Sequence, residues 1–258
     1  MQPNLDPQLY PLLETLLTQV QLILGDKLVG LYLYGSLVTG DFDPTISDID
    51  LLAALASDLS PVEFATLDAM HHDFIAQHPQ WDSRLEIAYL SLHGLKTFRT
   101  EASPIGIISP GEPFHIIEAG RDWLVNWYVV REQGIPLFGP PAQAIIGPIA
   151  TEEFIENIKD HAAHWHEWLK DDASVPYQSY AILTMCRALY SCTHGEQVSK
   201  IRAAAWVMQQ LPQWADLIQK ALRWRHGWRE DVADPAAILP ETRRFVEFMQ
   251  QEISHDAT

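Results

Sequence analysis

The chain has 258 residues, 47% of them hydrophobic and 20% charged, an ordinary globular composition with enough chain to bury a core in one large domain or two modest ones. Its 34 acidic and 17 basic side chains leave a formal net charge of −17. That balance argues against nucleic acid as a partner, because phosphate binding needs a basic face, and no stretch approaches the ~20 apolar residues of a membrane span. Acidity is concentrated in residues 1–150, with 18 acidic and 6 basic side chains, against 16 and 11 in residues 151–258. The acidic half suits metal ions or a cationic small molecule; solubility alone is the plainer reading. The start, "MQPNLDPQLYPLL", lacks a basic region followed by an apolar run, and Cys186 and Cys192 fall inside one predicted helix. A cytoplasmic location without a disulfide framework is expected.

In chain order, Asp6-Pro7 predicts a helix start, with Leu9, Leu12, Leu13, Leu16, Leu17, Val20 and Ile23 on one apolar face and Gly25 as the stop. "LVGLYLY" (28–34) and "DIDLLAAL" (48–55) read as strands, with a helix from Ser60-Pro61 to about His78. "RLEIAYLSL" (84–92) reads as a third strand, and the Pro- and Gly-rich residues 103–117 as irregular. A helix is expected from about Ala119 to Gln133. The uncharged "GIPLFGPPAQAIIGPIA" (134–150) reads as a connection between domains. Beyond it the pattern is helical: Thr151 is expected as a cap, with helices near 151–171, 177–194, 199–211, 213–227 and 240–253. The expected architecture is a mixed α/β domain over 1–149 followed by a helical bundle over 150–258.

The chemistry is concentrated in "YGSLVTGDFDPTISDIDL" (34–51). Asp48 and Asp50 are two residues apart on a predicted strand, so they point to one face roughly 6–7 Å apart. Two bare carboxylates there repel each other, and a divalent cation resolves the conflict; Mg²⁺ takes one or two carboxylates with waters and substrate phosphates. Gly35 lets backbone approach a ligand closely, and Ser36 with backbone N–H groups can hold phosphate oxygens. Ser47 precedes Asp48 and is placed to orient its carboxylate. Glu86, on the third strand, completes the set either as general base for an attacking hydroxyl or as a third metal ligand.

These residues resemble the signature of the DNA polymerase β-like nucleotidyltransferase superfamily: Gly-Ser, a short helix and loop, then Asp-x-Asp. "RLEIAYL" is similar to the strand bearing the catalytic Glu in aminoglycoside 3″-adenylyltransferases, enzymes that adenylylate streptomycin and spectinomycin. "AILTMCRALYSCTHGEQVSKIRAAAWVMQQLP" (181–212) and "RRFVEFMQQEI" (243–253) resemble that family's helical domain. The resemblance implies ATP as co-substrate, Mg²⁺ on Asp48 and Asp50, Glu86 as base, Arg187 beside the substrates and Lys200 on the nucleotide phosphates. Two departures touch the acceptor site. Tyr177 stands where the streptomycin enzymes carry an Asp, and "GEPF" (111–114) replaces the segment that supplies their drug-stacking Trp, leaving Trp123 or Trp127 as substitutes.

Other signals carry less. His161, His164 and His166 lack i, i+4 spacing, so a solvated helix face is favoured over a zinc site. "RWRHGWRE" (223–230) mixes basic and aromatic residues but sits in an acidic protein, where a helix end is favoured over a single-strand platform. No Walker loop and no nucleophile elbow occur. The expected function is AMP transfer from ATP to a hydroxyl of a cationic, aminoglycoside-like acceptor by a monomer. The alternatives are the same chemistry on a non-antibiotic or protein acceptor, and a non-catalytic nucleotide-binding module.

Overall fold

Leu12, Leu13, Leu16 and Val20 repeat at helical spacing and are buried in α1 (Tyr10–Leu24), which stops at Gly25 as its φ turns positive. In this computed structural model the structure describes residues 9–226 and 233–255. The expected start at Asp6-Pro7 and residues 227–230 of the basic–aromatic stretch lie outside the described residues. β1 (Leu28–Tyr34) follows, then the single turn α2 (Ser36–Thr39), then β2 (Ile49–Leu55). α3 (Pro61–Gln77) starts on a reciprocal capping box: Ser60 Oγ accepts from the Glu63 amide, and the Glu63 carboxylate accepts from the Ser60 amide. Lys27 Nζ also donates to Glu63 Oε2 at 2.6 Å. β3 (Leu85–Ser91) completes the crossover, and α4 (Leu92–Thr97) follows it.

Residues 103–117, expected to be irregular, instead form a hairpin, β4 (Ser103–Ser109) and β5 (Glu112–Ala119), turning at Gly111 with φ +81°. The prolines do not break it. Pro104 lies at the second position of β4, beyond the Ile87–Tyr89 pairing with β3, and Pro113 lies on the edge strand, where a missing N–H is tolerated. The next helix, α5 (Leu124–Gln133), is preceded by a single turn over Arg121–Trp123 and starts later than expected, because Ala119 closes β5. The supposed connection over 134–150 holds a sixth strand, β6 (Ile135–Phe138), paired antiparallel to β1. Gly139, at φ +90°, passes so close to Val29 that a Cβ would lie 2.3 Å from the Val29 carbonyl oxygen. The described strands form one mixed sheet in the order β5-β4-β3-β2-β1-β6, with β2 and β3 parallel.

Strand alternation gives the two faces different work. Leu31, Leu33, Ile49, Leu51, Ala53, Leu85, Ile87 and Tyr89 are at most 2% exposed and pack with α1 and α3 as the core. The opposite face carries the even-numbered residues, Tyr34, Asp50 and Glu86 among them.

The helical unit contains α6 (Thr151–Ala163), α7 (Trp165–Trp168), α8 (Val175–His194), α9 (Lys200–Gln210), α10 (Ala215–His226) and α11 (Pro235–His255). α8 is its axis, with α6, α9, α10 and α11 all packed on it. Two expectations need correction. Thr151 is the first helical residue rather than the cap, and Ala150 makes no side-chain cap. α11 begins at Pro235, not near 240, and Pro240 lies within it. Gln178 of α8 fixes those first turns: its Nε2 donates to the Pro235 carbonyl, and its Oε1 accepts from Thr242. The chain divides into compact units over 1–148 and 149–258, an N-terminal mixed α/β unit and an α-helical bundle. No described helix is long and apolar enough to cross a membrane.

Candidate active site

β1 and β2 pair antiparallel with Tyr34 opposite Asp50, and β2 and β3 pair parallel with Asp50 opposite Glu86. Directly paired residues share a face, so Tyr34, Asp50 and Glu86 form one row across three strands. The two carboxylates are half-buried, whereas Tyr34 is buried. The Tyr34 hydroxyl donates to Glu86 Oε1 at 3.1 Å. Burial chiefly, then the nearby negative charges of Glu86 and Asp50, hold the Tyr34 hydroxyl well above its usual range, so it remains a proton donor.

The row ends against Gly35, at φ +70° and ψ −145°, where the chain leaves β1 for α2. A Cβ on Gly35 would lie 1.9 Å from Asp50 Oδ2. The Asp50 carboxylate thus lies directly against backbone that only glycine leaves bare, with Ser36 opening the next turn.

Asp48 is held differently. It lies just before β2, at the end of a turn over residues 43–47. Asp43 Oδ1 accepts from the Thr45 amide and hydroxyl, and the Ser47 amide returns to the Asp43 carbonyl at 2.8 Å. The Ser47 hydroxyl, expected to orient Asp48, accepts from the Asp43 amide at 2.9 Å and helps close this turn. Arg84 clamps the turn to β3: its Nε and Nη2 both donate to the Ser47 carbonyl. Its guanidinium lies 4.5 Å from the Trp81 ring centroid, and its own carbonyl accepts from the Ile49 amide. Arg84→Met keeps the packing volume but removes the fork. It should loosen the turn and lower turnover about tenfold or more, and steady-state kinetics beside hydrogen exchange of residues 43–48 will check this.

Sequence reasoning missed Tyr34 and Arg84. The available signals were a tyrosine immediately before Gly-Ser at a strand end, and an arginine opening a buried strand.

Arg187 and Lys200 belong to the helical unit. Arg187 is half-buried in α8, and its charge, after burial itself, pushes the His161 imidazole below its usual range. Lys200 is the first residue of α9, with its Nζ 3.9 Å from the Tyr180 ring centroid. A cation at a helix N-terminus opposes the helix dipole, which makes Lys200 unusual for a structural choice. Tyr177 and Tyr180 are exposed, and their rings lie 6.0 and 5.7 Å from that of Trp165.

The structure narrows one acceptor-site alternative. Trp127 is 1% exposed beneath Trp123, so of that pair only Trp123 is accessible. Phe114 of the "GEPF" segment is buried, stacked on Phe64 at 4.6 Å. The donor chemistry of two aspartates beside a bare glycine fits a hard divalent cation. Among the described residues there is no group of three or more His, Cys, Asp or Glu side chains arranged to hold a metal.

Two family models match the chain. The nucleotidyltransferase domain model covers residues 13–98, and the C-terminal domain model of aminoglycoside adenylyltransferases covers 144–252. By these two models the chain is similar to the aminoglycoside adenylyltransferases along most of its length. The first match contains the Tyr34–Asp50–Glu86 row, and the second contains Arg187 and Lys200. Aminoglycoside (3'') (9) adenylyltransferases from Klebsiella pneumoniae and Escherichia coli are 27% and 28% identical over 90% of this chain and 89% of theirs. A spectinomycin 9-adenylyltransferase from Staphylococcus aureus is 24% identical over 90% of both chains. The crystal structure of spectinomycin adenyltransferase AAD(9) from Enterococcus faecialis with ATP and spectinomycin superposes with a TM-score of 0.77 at 16% identity. It covers 95% of this chain and 99% of that one, so the two share the fold throughout.

Proposed function

We propose that the protein transfers AMP from ATP to a hydroxyl of a small cationic acceptor of the aminoglycoside type and releases pyrophosphate. The observation that carries this reading is the registered row of Asp50 and Glu86 beside the bare backbone of Gly35. The two family-model matches and the relatives' named activities support it.

Asp48 and Asp50 would hold Mg²⁺, with Gly35 and Ser36 against the triphosphate. When bound, Mg²⁺ supplies Lewis-acid stabilisation of the charge developing on the phosphate oxygens. Glu86 takes the proton from the acceptor hydroxyl, that oxygen attacks the α-phosphorus, and the bond to the pyrophosphate oxygen breaks. We favour the base role for Glu86 because one of its oxygens is already tied to Tyr34. Arg187 and Lys200 supply positive charge for the triphosphate and the departing pyrophosphate. The reading places the protein in the cytoplasm as a monomer, where the buried thiols of Cys186 and Cys192 stay reduced.

ATP labelled at the α-phosphate, with Mg²⁺ and a panel holding spectinomycin and streptomycin, tests the proposal. The expected result is labelled drug and stoichiometric pyrophosphate. Failure of both drugs while ATP still binds would remove the acceptor and leave the nucleotide site.

A further inference from the structure

We propose that Tyr34 is the positioning residue of the general base: its buried hydroxyl fixes the Glu86 carboxylate for the incoming acceptor hydroxyl. This rests on the reading of Glu86 as base. The hydroxyl reaches Glu86 Oε1 at 3.1 Å from a side chain only 5% exposed. Its ring is the last residue of β1, paired opposite Asp50, which is in turn paired opposite Glu86. Tyr34 and Glu86 therefore sit two strands apart on one face, and a long aromatic side chain is needed to span Asp50 and reach the glutamate. A glutamate carboxylate ordinarily rotates about three side-chain bonds. A hydrogen bond from a rigid, buried donor removes that freedom before the substrate arrives, and small misplacements of a reacting group can cost about 10²-fold in rate.

The competing explanation is structural: a buried tyrosine hydroxyl needs some acceptor, and Glu86 supplies one. The two differ in what the hydroxyl does for turnover once folding is secured. Tyr34→Phe keeps the ring and deletes only the donor. Glu86→Asp withdraws the carboxylate by one methylene, away from the Tyr34 hydroxyl, while keeping a base.

The experiment is a double-mutant cycle on the full chain, with ATP, Mg²⁺ and spectinomycin, accompanied by ATP·Mg²⁺ affinity from calorimetry and thermal unfolding. Y34F is expected to lower kcat by about 10- to 100-fold, with ATP affinity within about twofold and cooperative unfolding retained. In the E86D background the same change should cost less than about twofold, because the interaction is already gone. Equal losses in both backgrounds, an unchanged kcat, or a loss confined to ATP affinity would overturn the proposal; the last would mean that Tyr34 acts through Asp50. E86D with unchanged kcat, or no turnover in the unmodified protein, would instead remove the underlying functional reading and the proposal with it.

Discussion

Gly35→Ala should cut AMP transfer by about a hundredfold or more while the chain still folds. Two independent costs meet at this position. A φ of +70° with ψ −145° is open to glycine and strained for alanine, a penalty of about 1–3 kcal/mol. The added methyl would also stand 1.9 Å from Asp50 Oδ2. Strand pairing holds Tyr34 and Asp50 at the backbone, so the carboxylate is the part that moves, and it moves out of the row it shares with Glu86. Stability should therefore fall modestly and turnover severely, and ATP·Mg²⁺ affinity should fall with turnover. Calorimetry with ATP and Mg²⁺, beside kcat and urea unfolding, checks all three. A variant that loses stability but keeps turnover would show that the contact with Asp50 does not matter to the chemistry.

The second large effect is on stability and lies in the core. His71 on α3 is 1% exposed, with its Nε2 3.0 Å from the Tyr89 hydroxyl and its ring against Phe114. Its Nδ1 has no hydrogen-bond partner. Burial, with a smaller push from His72, lowers its pKa from 6.5 to about 3. A histidine held neutral in the fold but protonated in the unfolded chain makes the unfolded state bind more protons. Stability is then full above pH 6.5 and is lost as pH falls from there toward 3, at up to about 1.4 kcal/mol per pH unit. Glu63 contributes below that range. The hydrogen bond from Lys27, then that from the Ser60 amide, lowers its pKa from 4.5 to about 2, so its share is lost only as pH falls through those values. Between pH 6.5 and 4.5 the slope is therefore free of Glu63 and carries the proton of His71. Replacing both partners, His71→Phe with Tyr89→Phe, leaves neither polar atom stranded and should flatten the curve by about one proton. Urea unfolding at pH 7, 6 and 5 measures it; an unchanged slope would mean that the ring is protonated, or accessible to protons, in the folded protein.

The nucleotide side of the proposed site was legible because its signal is local. Gly35, Ser36, Asp48 and Asp50 lie within sixteen residues, and the strands that carry them read cleanly from apolar runs. Glu86 was legible only as a charged residue interrupting such a run. Tyr34 and Arg84 were not, because their parts depend on register. Which residue lies opposite Asp50, and which carbonyl faces a guanidinium from the next strand, are facts of pairing that one-dimensional patterns do not contain. The hairpin β4–β5 and the short β6 were hidden for another reason. Pro104, Gly106, Pro113 and Pro136 look like breakers, yet they occupy strand ends, edge strands and close approaches where those residues are tolerated. α11 shows the same limit, with tertiary hydrogen bonds from Gln178 ordering turns that Pro240 would argue against.

The alternation that buries Leu33, Leu51 and Ile87 on one face also places Tyr34, Asp50 and Glu86 on the other. Slipping β2 by a single residue would turn the aspartate into the leucine core and a leucine out beside the glutamate. Such a sheet would be both inactive and unstable, so misregistered but well-folded molecules are not an accessible population. Selection for a sound core and selection for aligned carboxylates thus act on one variable. In a directed-evolution experiment on this unit, core substitutions that preserve alternation should be far better tolerated by activity than insertions or deletions in the turns that set the register.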